Sequence, residues 1–363
     1  VIDATNCYLK LSDCFCNLIS CVFFILGNLV INKKIFSKDL LVNPSEDLNQ
    51  YWEHDNQTWW DWYLTLADNK GKDKVTNFVD IESMKHLDMP SDSQLEDELS
   101  SSYNLTEEHH LTFRRDGFIR LPNVLSPGAV ARLRKELINL LNKTFPKNNR
   151  NNRFLSLEMM WIESPIIRQY VLSPRIAKIS ADLLSVKSVR LYHDNTLSKE
   201  PGCGRTPWHY DDHHFPLETN DVVTAWMPAQ PVPKAMGPLS FAKPLNVFNL
   251  VKNINFNKND TSYDKNVTEV FKANNVAIDS KPFEIGEASF HHNLSFHTAG
   301  ENRTSQSRIV LANTYFADGT RVVEKPTMVS GDWQKFIPGV GPGEIAASEL
   351  NPVCWPAIPK RKI

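Results

Sequence analysis

Residues 288–316 read ASFHHNLSFHTAGENRTSQSRIVLANTYF. At both ends of this stretch apolar, β-branched and aromatic residues recur with a period of two, as in strands, and AGENRTSQS between them is built of turn formers. Two strands joined by a turn are expected, the second opening at Arg308. Similar runs begin near residue 188: SVRLYHDN, DVVTAWMP and GPLSFA, separated by Gly, Pro and Asn turns. Before them the period is helical. TEEHHLTFRRDGF reads as a helix capped by Thr106 and ended at the Asp116-Gly117 turn, followed by a short strand, FIRLP. SPGAVARLRKELINLL has Ser126 as N-cap and Pro127 in the first turn, and helical patterns continue to about 184. Helices first and strands afterwards predict an α+β fold, an antiparallel jelly-roll sandwich or barrel with flanking N-terminal helices.

The 363 residues suffice for a sizeable core, in one large domain with extensions or in two domains. Forty basic and 42 acidic residues leave a net charge of −2, so no basic excess points to nucleic acid or an anionic membrane. Four of six cysteines fall within the first 21 residues, while Cys203 and Cys354 stand alone. That is no disulfide framework, and a reducing, intracellular compartment is expected, the cytoplasm unless the N-terminus targets an organelle or membrane. Seven N-x-S/T sequons occur, two of which, Asn293 and Asn302, flank His297; a glycan there would obstruct any site that His297 serves. Residues 14–31 are apolar enough for a targeting segment or anchor, yet Asn17, Ser20 and Asn28 interrupt them and the lysines follow. The start at Val1, with no methionine before Met84, reads as incomplete or as translated upstream sequence.

Four regions are expected: an apolar segment at 1–43, a polar extension at 44–105, the main domain at 106–325 and a tail at 326–363. Within the extension, WWDWYLTLAD (59–68) reads as a helix docking packing aromatics. Within the main domain, the Asn- and Lys-rich stretch 246–279 reads as a lid over the barrel mouth. The tail is too rich in Gly and Pro for regular structure, and its tryptophans imply that it wraps back onto the body.

The chemistry concentrates in RTPWHYDDHHFP, residues 205–216. On an extended strand His209 and Asp211 point to one side and Tyr210 to the other. His297 is the best third ligand, completing a two-histidine, one-carboxylate face with open positions opposite, the set used by non-haem Fe(II) oxygenases. An antiparallel return after the turn would bring Arg308 alongside, where its guanidinium can grip the far carboxylate of a chelating keto-diacid.

In order and spacing, His209-x-Asp211, His297 and Arg308 resemble the phytanoyl-CoA dioxygenase family of Fe(II)/2-oxoglutarate oxygenases. LYHDNTLSKEPG, HHFPLETNDVVTAW and MGPLSFA share the resemblance, which spans about 106–320 and touches the tail at PGVGPGE and LNPV. It implies a double-stranded β-helix, iron on His209, Asp211 and His297, and 2-oxoglutarate on Arg308, with Asn195 and Trp226 as further co-substrate contacts. Succinate and CO2 would form from 2-oxoglutarate and O2 as a small-molecule substrate is oxidised. There are departures. Ala299 stands where a hydroxyl residue often helps bind 2-oxoglutarate, and Tyr210 where glutamine is common. Retention of Asp211 weighs against a halogenase.

Other readings accompany these. His213 and His214 line the site mouth or cap a turn, and His291 and His292 are structural. Trp226 could equally be core, and Lys199 reads as a solvated turn lysine. The alternatives to hydroxylation are oxidative cyclisation or desaturation within the family, a cupin-like metalloprotein without 2-oxoglutarate, and a non-catalytic binding module. The substrate reads as a small polar or amino-acid-derived metabolite.

Overall fold

The computed structural model describes residues 56–69, 84, 86–326 and 333–357. The apolar segment 14–31 and the first part of the extension lie outside them. In chain order the helices are α1 (Asn56–Tyr63), α2 (Asp92–Ser100), α3 (Glu107–Asp116), α4 (Pro127–Thr144), α5 (Met160–Glu163), α6 (Pro165–Val171), α7 (Pro174–Leu184), α8 (Phe248–Val251) and α9 (Ser262–Ala273). The strands are β1 (Phe118–Leu121), β2 (Phe154–Glu158), β3 (Val189–Lys199), β4 (Thr206–His209), β5 (Val222–Pro228), β6 (Leu239–Lys243), β7 (Ala277–Asp279), β8 (Ala288–His292), β9 (His297–Ala299), β10 (Arg308–Ala317) and β11 (Val353–Trp355).

The caps explain the helix boundaries. Thr106 and His109 form a capping box at the start of α3, and Gly117, at φ 77°, ends it in the left-handed region. The Ser126 hydroxyl accepts from the Ala129 amide, and Pro127 spends no donor in the first turn of α4. The apolar face of α4 then buries Val130, Leu133, Leu137 and Leu141 in the main core.

The strands form two antiparallel sheets. The larger runs β1-β8-β5-β10-β3-β11, with β2 also on β3, and the smaller runs β4-β9-β6-β7. Their curled, facing arrangement is the double-stranded β-helix. β10 is buried along all but its last residue, pairing with β3 on one side and β5 on the other. Helices α4, α6 and α7 cover the large sheet through the same core, leaving the opposite face to line a cavity.

The structure corrects several expectations. The helical region to 184 is interrupted by β2, whose five residues FLSLE are too short for a periodicity to separate strand from helix. ASFHHNLSFH is not one strand: it breaks at 293–296, so β8 belongs to the large sheet and β9 to the small one. β10 opens at Arg308, but it crosses to the large sheet rather than returning beside β9. Residues 246–279 are largely helical; Tyr263, Val267 and Phe271 of α9 are buried, and Phe271 meets Trp208 edge-on. None of that stretch lines the cavity, whereas Asn56, Trp59, Trp60 and Tyr63 of α1 do. The tail contributes a strand after all, β11 on β3, and it buries Phe336 and Ile337. Among the described residues no helix is long and apolar enough to cross a membrane.

Asp194, at the middle of β3, is fully buried and accepts from the Met160 and Trp161 amides, capping α5 from a distance. Burial pushes its carboxyl up to about 7, despite those donors. The unfolded chain gives up this proton near pH 4, so between about pH 4 and 7 the folded state binds more protons than the unfolded. Asp194 therefore contributes stability that is full below pH 4 and is lost as pH rises to about 7. Urea midpoints at pH 5 and 7.5 should differ less in Asp194→Asn, which keeps one acceptor oxygen without the charge, than in the wild type.

Candidate active site

His209 ends β4 and His297 begins β9, and the two residues stand directly opposite each other in the strand pair. Their ring centroids are 4.1 Å apart. Each imidazole is oriented by a carbonyl two residues upstream: His209 Nδ1 lies 2.8 Å from Pro207 O, and His297 Nδ1 3.0 Å from Ser295 O. With Nδ1–H donated there, both Nε2 lone pairs face inward.

Asp211 reaches the same point by a different route from the expected strand alternation. The strand ends at His209, and Asp211 adopts helical angles, φ −85° and ψ −19°. Asn293 fixes this turn: its carbonyl accepts from the Asp211 and Asp212 amides at 2.8 and 3.0 Å, and its Nδ2 donates to Asp212 Oδ1 at 2.7 Å. Asp211 Oδ1 is then 3.9 Å from His209 Nε2 and 3.7 Å from His297 Nε2. All three ligand atoms lie within 4.8 Å of one another, a set that could hold one metal ion. Tyr210 points away, into an aromatic cluster with Phe248 and Phe296.

Burial foremost lowers the pKa values of His209 and His297, keeping both neutral and able to ligate. Burial works in the opposite sense on Asp211, but His297, His291 and His209 outweigh it and hold the carboxyl well below the ordinary range. His291 is a site residue that sequence reasoning placed in the scaffold. Its Nε2 lies 3.3 Å from Asp211 Oδ2, and the Thr224 hydroxyl donates to the same oxygen at 3.3 Å. That leaves Oδ1 turned toward His209 and His297. His292, by contrast, is structural: its Nδ1 accepts from the Leu294 amide, and burial lowers it to about 4.

Arg308 lines the same cavity and is 1% exposed. Its Nη1 donates to Gly237 O, while its Nε has no partner among the described residues. Burial draws its pKa down to about 10, so the guanidinium stays charged at neutral pH. Among the described residues this buried cation has one neutral acceptor and no counter-ion, and a carboxylate is the group that its fork fits. Gly237, at φ 73°, is required there, because a Cβ would fall 2.1 Å from Gly300 O. Trp226 lies beneath, with the Arg308 guanidinium carbon 5.3 Å from its ring centroid, and Asn195 also lines the cavity.

Two residues near 299 differ from expectation. Thr206, directly across the strand pair from Ala299, lines the same cavity, and its hydroxyl accepts from buried Lys199. Lys199 is not solvated: it is fully buried and donates to Gly204 O, Gly300 O and Thr206 Oγ1 at 2.8, 2.8 and 3.1 Å. It bolts the β3–β4 connection to the turn after β9, and nothing of it faces the cavity. His214 does line the cavity, edge-on to Trp59, while His213 stacks with Phe256. Asn293 and Asn302 are buried, and both side-chain amides donate within the fold, so neither is accessible to glycosylation in the folded protein.

The family model for phytanoyl-CoA dioxygenase (PhyH) matches residues 113–310, more than half of the chain. No curated protein sequence matches. Among solved structures, the chain is similar to SnoK, a non-haem α-ketoglutarate-dependent carbocyclase from nogalamycin biosynthesis, with 23% identity and a TM-score of 0.57, covering 69% of this chain and 96% of that one. It is also similar to the epimerase SnoN in complex with Fe3+, α-ketoglutarate and nogalamycin RO (21%, 0.54, 68% and 98%). A third is EctD from S. alaskensis with 2-oxoglutarate and 5-hydroxyectoine (17%, 0.53, 78% and 96%). At these identities the structural likenesses speak to the fold, which is the double-stranded β-helix. The matched domain, rather than any one neighbour, makes this chain a member of the phytanoyl-CoA dioxygenase family, the non-haem iron, 2-oxoglutarate-dependent oxygenases.

Proposed function

We propose that this enzyme hydroxylates an unactivated C–H bond of a small molecule, consuming 2-oxoglutarate and O2 and releasing succinate and CO2. One observation carries the reading: a neutral–neutral–anionic ligand set and a buried, counter-ion-free Arg308 line the same cavity. His209, Asp211 and His297 hold the iron, and Arg308 takes the far carboxylate of 2-oxoglutarate. Thr206, Asn195 and Trp226 complete the co-substrate pocket. Bound iron and 2-oxoglutarate supply the oxidising power, and the protein supplies position and dryness.

Each residue's part follows from its environment. The carbonyls of Pro207 and Ser295 fix the imidazole rings, and His291 with Thr224 fixes the carboxylate, so the ligand set is preorganised. Retention of a carboxylate at 211 disfavours halogen transfer. Trp59, Trp60, Phe154 and Phe336 form apolar walls around the remaining space and exclude water from it. No protein group need act as a general base, since bound iron and 2-oxoglutarate would supply the oxidant that replaces C–H by C–OH. Glu158 and His193, set among those rings, support a small polar or amino-acid-derived substrate. Cyclisation or desaturation with the same machinery is the second reading, since SnoK, which shares the fold, is a carbocyclase.

A screen for substrate-dependent succinate release across metabolite classes tests the proposal, and product mass separates its branches: a gain of about 16 Da for hydroxylation, a loss of about 2 for desaturation or ring closure. His209→Ala and Asp211→Ala should abolish that succinate release, and normal turnover by a folded His209→Ala protein would contradict the ligand assignment. Arg308→Met should raise the Kd for 2-oxoglutarate about 10- to 100-fold, the value of one charge-assisted hydrogen bond or more, as read by calorimetry. A cupin-like protein without 2-oxoglutarate would show no such change. His291→Phe should leave the fold intact but weaken Fe(II) binding about 10- to 100-fold in competition with a chromogenic chelator, as expected for loss of a ligand-orienting partner.

A further inference from the structure

The outer wall of the cavity comes from a segment outside the family-matched region. Helix α1 precedes residue 113 by fifty positions, yet Asn56, Trp59, Trp60 and Tyr63 all face the active site. Its seating is specific. The Gln57 side chain bonds the outer edge of β2 as a further strand would, donating to Phe154 O at 2.8 Å and accepting from the Ser156 amide at 3.2 Å. Asp61 pairs with Arg153 at 2.7 Å, and Trp60 packs on Phe154 with centroids 4.6 Å apart.

From the first residue of this helix a directed chain of hydrogen bonds runs to the co-substrate pocket. Asn56 Nδ2 donates to Ser156 Oγ at 2.8 Å, and Ser156 Oγ donates to Asn195 Oδ1 at 2.7 Å. Ser156 is 3% exposed and its hydroxyl has one proton to give. Because Asn56 supplies a donor, that proton goes to Asn195. The Asn195 amide is thereby fixed with its oxygen engaged and its NH2, which bonds no described residue, left to the cavity that it lines. The flipped amide would set its NH2 against the Ser156 hydroxyl and leave that buried hydroxyl proton with no acceptor among the described residues.

We propose that Asn56 and Ser156 are positioning residues for 2-oxoglutarate: acting through Asn195, they hold its amide as a donor to the bound co-substrate. This rests on the placement of 2-oxoglutarate beside Arg308 proposed above. It makes α1 a joint component of the two binding sites. The helix that walls the substrate space also sets the polarity of the co-substrate pocket, so seating of α1 and affinity for 2-oxoglutarate are coupled.

The test is anaerobic calorimetry of 2-oxoglutarate binding to the full chain loaded with Fe(II), without substrate. Ser156→Ala and Asn56→Ala should each raise the Kd about three- to ten-fold, the value of one neutral hydrogen bond, while leaving the Kd for Fe(II) unchanged. Ser156→Thr, which keeps the hydroxyl, should restore wild-type binding. In an Asn195→Ala background, Ser156→Ala should have no further effect, because the relay then has no end. Unchanged 2-oxoglutarate affinity in Ser156→Ala and Asn56→Ala would overturn the relay while leaving the Arg308 assignment intact. A persistent loss from Ser156→Ala in the Asn195→Ala background would also overturn it, showing that the effect travels through the fold. If Arg308→Met bound 2-oxoglutarate as tightly as the wild type, the pocket assignment itself would fail and the relay with it.

Discussion

The site depends on one strand pairing. β4 and β9 meet with His209 opposite His297, and each ring is held by the carbonyl two residues before it. A slip of one residue would turn one imidazole out of the pair, since side chains alternate across a strand. What prevents the slip is the chain just outside both strands. Asn293, in the break between β8 and β9, takes the Asp211 and Asp212 amides on its carbonyl and ties its side chain to Asp212. One buried asparagine thus sets the third ligand relative to the other two. The break in ASFHHNLSFH matters for this reason: it moves the chain from the large sheet to the small one and brings His291 to Oδ2 and His297 to Oδ1 of Asp211.

Around that pairing the cavity is electrostatically divided. At the ligand set the charge is negative, with Asp211 held ionised among neutral imidazoles. Elsewhere on its wall stands Arg308, a buried cation with no counter-ion among the described residues. A molecule with a chelating keto-acid at one end and a carboxylate at the other satisfies both. Lys199 serves the same region without entering it: its ammonium stitches together the carbonyls of Gly204 and Gly300, so the turns around the co-substrate end of the cavity hold their shape.

Much of this was legible in the sequence, and the failures share a cause. That His209, Asp211, His297 and Arg308 would converge on one cavity could be anticipated, because their residue types and spacing match a chemistry that few other arrangements use. The helix starts at Thr106 and Ser126 could be read because capping is local. The geometry behind the ligands was misjudged, however. Asp211 reaches the site through a helical turn held by Asn293, a contact between residues some eighty positions apart, and β10 reaches it by crossing between sheets. Such long-range partners leave no periodic trace. His291 looked structural because nothing in its neighbourhood reveals that Asp211 will lie beside it, and Lys199 looked solvated because a lysine near a Pro-Gly turn usually is. The stretch 246–279 was read as a lid from its polarity, yet the apolar face of α9 is buried against the body and α1 walls the cavity.

That exchange of roles bears on how such an enzyme acquires a substrate. The family fixes an iron- and 2-oxoglutarate-dependent oxidation and not its target. Selectivity must come from groups that meet the substrate, and four of the residues that line the cavity sit on α1, a segment with its own attachments to the edge strand β2. Attachment through an edge is inexpensive to evolve, because β2 offers backbone groups that would otherwise need capping. It also places new side chains next to old ones: Trp59 faces His214, and Tyr63 stands edge-on to the ring of His209 at 5.9 Å. A helix so placed can change what enters the site without disturbing the β4–β9 register on which the chemistry rests.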